Sequence, residues 1–321
     1  MNIEIPYYED NSRINNSIIG VFLKKGPKAL YNYLAGTYES ESGAQLDRGT
    51  MIHEYILQPE EFNNDYLLYE GITPSSSQQK AFCNNLLNTT EIEPQKAAVS
   101  AYKDSYSIVG KSEQFIASEA TKMANTFAFY INALQSNKKL ISSMDVNKCI
   151  AVNNNIKSHK KANELLNDPN FKEHHEFHIN WEFNGVKCKS LLDCVKFDFD
   201  NKYCQIIDLK TTVKLYNFEE SMSQYDYTRQ LCFYKLAVLW YIENCIKQDS
   251  KEWTIDCYII AIDNTSGSDV RVFSISKENV DEKTSIIVDA ITKIGWHINN
   301  NKWDHSKEYY EGDGCESLNI N

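Results

Sequence analysis

The stretch KCKSLLDCVKFDFDNKYCQIIDLKTT, residues 187–212, decides the fold. With EFHINWEF just upstream, it forms three alternating segments joined by FNGV and FDNK, the pattern of consecutive antiparallel strands with tight turns. Successive strand side chains point to opposite faces, so Asp208 and Lys210 share a side while Leu209 points into the core. A hairpin centred near Asn201 brings Asp193, fifteen residues earlier, close to Asp208. Two carboxylates then converge beside one lysine.

Adjacent buried carboxylates repel unless a cation lies between them, so this grouping favours a divalent metal. Oxygen ligands suit Mg²⁺ or Mn²⁺, which accept phosphate oxygens and activate water. On spacing alone, D-x14-D-x-K is a weak pattern and describes a solvated ion cluster at a strand end equally well.

The rest of the chain supplies the frame. A long helix is expected over 224–246, strands over 253–263 and 270–276, and a last helix over 280–300. The order strands, helix, strand, helix predicts an α/β (α+β) protein with a mixed central β-sheet flanked by helices. Upstream, residues 17–35 read as two short helices broken at Gly26-Pro27 and capped by Ser17. A polar, glycine-containing connection follows, then a short helix from near Thr50 that ends before Pro59. Turn residues with one helical fragment fill 73–100, and 111–168 reads as helical. One domain over 1–321 is expected, with an N-terminal helical part (1–65), a helical insert (66–170) and a core (171–321).

A chain of 321 residues with 42% hydrophobic and 24% charged residues has enough apolar surface to fold. No apolar run is long enough to cross a bilayer and the N-terminus lacks a basic-then-apolar leader, so no membrane association and a cytoplasmic location are expected. The nine cysteines form no CxxC pair and read as buried reduced thiols. A net charge of −11 disfavours nonspecific adhesion to polyanions, although a local basic groove is compatible with it. P-loop, GxGxxG, HExxH and G-x-S-x-G patterns are absent.

The surrounding residues carry a resemblance. SLLDCV…QIIDLKTT followed by RQLCFY resembles the PD-(D/E)xK nuclease signature, with the Q-x-x-x-Y motif of its RecB and RecE-like exonuclease branch. RGTMIHEYILQPEEF, residues 48–62, is similar to the G-T-x-x-H-x-x-x-L-x-P-E-x-F helix of the RecE-like group. The likeness covers the first 65 residues and 171 to about 240.

It implies that Asp193 and Asp208 are the metal acids, Lys210 the catalytic lysine, and His53 and the Leu209 carbonyl further ligands. Gln230 and Tyr234 match the Q-x-x-x-Y pair, which positions DNA or catalytic groups, and Glu176 is a candidate additional site residue. The resemblance further implies double-stranded DNA with linear ends as substrate and a phage-type role in recombination or replication. A ring-like homo-oligomer and a single-strand annealing protein as partner follow from it too. Leu192 stands where proline is usual, Ser190 where a base is frequent, and only Cys257 and Cys315 lie late in the chain, so no iron–sulfur cluster is expected.

Each residue also has a plainer reading. His53 among Met51, Ile52, Ile56 and Leu57 can be a packing histidine, and Tyr234 can be core. Thr211 and Thr212 can bind phosphate or merely cap the strand. Lys24, Lys25, Lys28 and the run KSHKK, 157–161, are candidate phosphate contacts or solvated faces. At the level of function the alternatives are a nuclease-fold DNA-binding or interaction protein without catalysis, and a nuclease acting on single-stranded, branched or RNA substrates.

Overall fold

A computed structural model describes residues 6–38, 44–169, 171–265 and 267–315, with the helical backbone alone for 44–47. The described chain opens with helices α1 (Asn16–Lys25), α2 (Pro27–Leu34), α3 (Ala44–Leu57) and α4 (Pro59–Asp65), then strand β1 (Tyr66–Leu68). Helices α5 (Ser77–Leu87), α6 (Pro94–Ser105) and α7 (Glu113–Leu134) precede β2 (Lys139–Ile141), α8 (Ser143–Ser158) and α9 (Lys160–Asn167). Next come β3 (Lys172–Phe183), β4 (Val186–Asp198), β5 (Tyr203–Thr212), α10 (Phe218–Tyr225) and α11 (Tyr227–Tyr241). The last elements are β6 (Thr254–Asp263), β7 (Val270–Ser274), α12 (Lys277–Asn300) and α13 (Lys307–Glu311).

Two compact units emerge, Met1–His53 with Val152–Asn321, and Glu54–Ala151. The first holds a five-stranded sheet in the order β3-β4-β5-β6-β7, antiparallel except where β5 runs parallel to β6. Local chemistry sets the turns. Asn184 (φ 49°) and Gly185 (φ 80°) form the tight β3–β4 hairpin, a pair of positions that needs left-handed backbone. The Asp198 carboxylate closes the β4–β5 turn by accepting from the Asn201 backbone N–H at 3.0 Å and side chain at 2.7 Å. The parallel β5–β6 pair requires a crossover, which α10 and α11 supply.

Trp181 packs on Phe233 of α11 with ring centroids 4.9 Å apart, and its indole N–H donates to Ser190 at 3.0 Å. This buried pair ties β3 and β4 to the helical layer. The chain before α1 joins the sheet through Ile14, which exchanges backbone hydrogen bonds with Lys187 and Lys189. Lys189 is buried and donates to the carbonyls of Asp10, at 2.6 Å, and of Tyr7.

The second unit packs α5, α6 and α7 around Phe82, Ala101, Tyr102, Ile116 and Phe127. Ser76 and Gln79 form a capping box at the start of α5. Near the unit's two ends, β1 and β2 pair in parallel, Tyr66 opposite Lys139 and Leu68 opposite Ile141.

The mixed sheet with flanking helices agrees with the sequence reading, and several boundaries do not. Asn15, not Ser17, caps α1, its side chain accepting from the Ile18 N–H at 2.9 Å. The helix expected from Thr50 begins at Ala44, and the polar connection before it falls partly on 39–43, outside the described residues. The single helix expected over 224–246 is two, because Asp226 adopts a left-handed conformation (φ 52°). The helical stretch 111–168 is interrupted by β2, and β3 starts at Lys172 rather than Glu176. Of the nine cysteines read as buried, Cys245 and Cys315 are exposed. Among the described residues no helix is long and apolar enough to cross a membrane.

Candidate metal centre

Strands β4 and β5 pair from Asp198 opposite Tyr203 up to Cys194 opposite Ile207, and then part. Asp193 fills the opening: its Oδ2 accepts the Leu209 backbone N–H at 2.7 Å, satisfying a donor that the ladder no longer pairs. On the other side of β4, the ladder to β3 runs through His175–Cys194 and Phe177–Leu192 and skips Glu176 opposite Asp193. Glu176 has φ 45°, which strains a non-glycine residue and breaks the pairing at this position.

Helix α3 brings His53 in, with Nδ1 at 3.6 Å from Asp193 Oδ2. Gly49, one turn earlier, permits that approach, since a Cβ there would stand 2.9 Å from Thr211 Oγ1. One ligand atom each from His53, Glu176 and Asp193 lies within 4.8 Å of the others. Asp208 is outside this trio. Its Oδ2 meets Lys210 Nζ at 2.6 Å, and its Oδ1 has no hydrogen-bond partner although the residue is only 1% exposed.

Burial governs the charges. It raises the Asp208 carboxyl to about 6, the Lys210 ammonium pulling it down and the Asp193 carboxylate pushing it up. Asp193 is likewise raised by burial, against Lys210 and the Leu209 N–H. Burial opposes the Lys210 charge, but the Asp208 and Asp193 carboxylates outweigh it, so the ammonium is held on more firmly than usual. His53 is lowered to about 4 by burial and then by Lys210, against Asp208 and a hydrogen bond with the Leu209 backbone. The imidazole is therefore neutral at physiological pH, the form that ligates metals.

These shifts have opposite signs in linkage. The folded protein binds the Asp208 proton more tightly than the unfolded chain, so this stabilisation is complete below about pH 4 and is lost as pH rises through about 6. His53 behaves in reverse: the unfolded chain takes up the proton first, and stability is lost as pH falls from about 6.5 towards 4. Comparing His53→Gln with the parent isolates one member. The melting temperature of the parent relative to the variant is expected to fall between about pH 7 and about pH 5; a difference that is flat with pH contradicts the assignment.

Gln230 and Tyr234, one turn apart on α11, are hydrogen-bonded, the amide donating to the phenol oxygen at 2.8 Å. The Tyr234 hydroxyl is pushed well above its ordinary value by burial and by Asp208 and Asp193, which puts it beside both acids and keeps it protonated. Leu209, Lys210, Thr211 and Thr212 line an open cleft of about 460 Å³ with His53, Gly49 and Thr50. The remaining wall includes Lys214, Tyr225 and Tyr227, which sequence patterns did not single out. Tyr227 lies with its ring 5.1 Å from Lys210 Nζ, and the left-handed turn at Asp226 that puts it there has no signature in the helical pattern.

The upstream lysines lie elsewhere. Lys28 pairs with Asp304 at 3.3 Å, Lys25 stands over Tyr38, and Lys161 pairs with Glu164 at 2.6 Å. None of them lines the cleft. A second trio with metal-ligand character, Glu173, His175 and Cys194, is already neutralised, because the buried Lys196 ammonium sits 2.9 Å from Glu173 Oε2.

The chain belongs to the family described as PDDEXK-like domain of unknown function (DUF3799), whose model matches residues 17–311. A crystal structure of a candidate exonuclease from Eubacterium rectale is similar in fold, with a TM-score of 0.51 over 96% of this chain and 91% of that one at 10% identity. No curated protein matches by sequence.

Proposed function

We propose that the chain is a divalent-metal-dependent nuclease that hydrolyses phosphodiester bonds at the ends of double-stranded DNA, in the manner of RecE-like exonucleases. The observation that carries this reading is the convergence of His53, Glu176 and Asp193 beside the Asp208–Lys210 pair. The donor set fits a hard cation: carboxylate oxygens, one neutral imidazole, and a buried Asp208 oxygen without a hydrogen-bond partner. Asp193, Asp208, His53 and the Leu209 carbonyl, with Glu176 beside them, would hold Mg²⁺ or Mn²⁺. When bound, such an ion neutralises phosphate charge and makes a water more acidic.

The protein's own groups then divide the work. Lys210 Nζ, which the Asp208 and Asp193 carboxylates hold as an ammonium in the metal-free protein, can act by hydrogen bonding and by its charge on the attacking oxygen. The protonated Tyr234 hydroxyl, with its oxygen accepting from the Gln230 amide, is a donor that can orient a phosphate or a water. Thr211, Thr212 and Lys214 extend the donors along the cleft, where they suit the flanking phosphates. The helical unit reads as an insert in one nuclease domain. By the same resemblance, the enzyme works as a ring-like homo-oligomer in recombination, alongside a single-strand annealing protein.

Labelled linear and covalently closed duplexes, incubated with Mg²⁺ or Mn²⁺ and then with EDTA, test the reading. Linear DNA is expected to be degraded from its ends, closed circles to survive, and EDTA to stop the reaction. Absence of cleavage of linear DNA with either ion overturns it.

A further inference from the structure

The cleft beside Lys210 has an aromatic wall of uncommon construction. Tyr225 and Tyr227 are two residues apart, a spacing that sends side chains to different sides of a continuous helix. Here the left-handed residue between them, Asp226, turns the chain so that the two rings stack, with centroids 5.6 Å apart and planes at 25°. Arg229 Nε, at 3.2 Å, and Lys283 Nζ, at 3.3 Å, pair with the Asp226 carboxylate at this turn. The column continues inward from Tyr227 to Phe218 (6.0 Å, 21°) and from Phe218 to Phe273 (5.0 Å, 17°). Phe218 is buried, whereas Tyr225, at the outer end and on the cleft wall, is 56% exposed.

A rigid column that ends in an open aromatic face, next to hydroxyl and ammonium donors, suits a flat ring carrying a phosphate. We propose that Tyr225 stacks an unpaired nucleotide base, so that the preferred substrate end is single-stranded or frayed rather than blunt; this rests on the nuclease reading above. Bases inside a duplex have both faces covered and a paired terminal base has one face open but is held to its partner, whereas an unpaired base can turn freely to lie against the ring. The cleft, about 460 Å³, has room for one nucleotide against the ring. In this arrangement the phosphates run past Thr211, Thr212 and Lys214 towards Lys210.

The test uses the full chain and DNA carrying 2-aminopurine at the terminal position of a single-stranded tail or of a blunt duplex. In EDTA, the parent is expected to quench the fluorophore in the tail more than at the blunt end. Tyr225→Ala should lose that quenching and weaken tail binding roughly five- to a hundredfold, the range of one base–aromatic stack, while Tyr225→Phe restores both. With Mg²⁺, the ratio of kcat/KM for tailed over blunt DNA should fall about tenfold in Tyr225→Ala. Equal quenching and an equal ratio in parent and Tyr225→Ala overturn the stack, and equal quenching of paired and unpaired termini overturns the preference. If the parent cleaves nothing, the nuclease reading falls, and the metal-free quenching still decides the stacking. Because Tyr225 is half exposed, its truncation should leave the melting temperature close to the parent's, which separates lost stacking from lost folding.

Discussion

Replacing Asp208 by asparagine is expected to stop nucleolysis and to make the metal-free protein more stable. The substitution keeps the shape of the side chain and removes a negative charge that the site cannot solvate: the residue is 1% exposed and one of its oxygens lacks a hydrogen-bond partner. Raising a carboxyl from its ordinary 3.8 to about 6 means that ionisation at neutral pH costs about 3 kcal/mol of folding stability. That cost is already net of the 2.6 Å pair with Lys210, so a neutral asparagine is expected to gain up to about 3 kcal/mol. The activity loss should be about a thousandfold, because a ligand charge and a preorganised field are removed together. Thermal melts in EDTA and with Mn²⁺ read both halves. The parent should be stabilised by the ion and the variant much less. A variant that melts lower than the parent in EDTA would contradict the account of Asp208.

Lys210→Met should cost comparable activity with the opposite effect on stability. Removing the ammonium leaves Asp208 and Asp193 facing each other without a cation, and breaking a buried pair from one side typically costs about 3–5 kcal/mol. Two rescues are then expected. Mn²⁺ should restore much of the lost melting temperature, because a cation among the carboxylates replaces the missing charge. Lowering the pH should do the same: with Lys210 gone the Asp208 carboxyl titrates above its present value of about 6, and protonation removes the repulsion. A destabilisation indifferent to both would mean that Lys210 stabilises through its contact with the Tyr227 ring rather than through its pairing with the acids.

Much of this site is legible in the chain because strands are written with a period of two. Asp193, Asp208 and Lys210 could be placed on neighbouring strands from the alternation of KSLLDCV and QIIDLKTT and from the turn residues between them. His53, Gln230 and Tyr234 lie at separations that no local periodicity connects to the strands, and only the order of whole motifs pointed to them. The alternation puts Glu176 on the right strand, but its position opposite Asp193 depends on a left-handed backbone at a glutamate, which propensity does not foretell. The same limit hid Tyr225 and Tyr227. A helical reading across Asp226 sends their rings apart, and the actual turn is stabilised by Lys283, nearly sixty residues later. The pairing of β1 with β2 was invisible for a related reason: two three-residue strands more than seventy residues apart carry too little alternation to be seen.

That small parallel pair bears on how such a chain can diversify. By holding Leu67 opposite Leu140, it clasps the two ends of a long excursion, and everything from residue 69 to 138 leaves and returns through one narrow neck. Lengthening, trimming or exchanging the sequence beyond the neck alters a loop whose anchorage is already closed, and closure entropy grows only slowly with loop length. Nature can therefore graft new bodies onto this stem at little cost in chain closure.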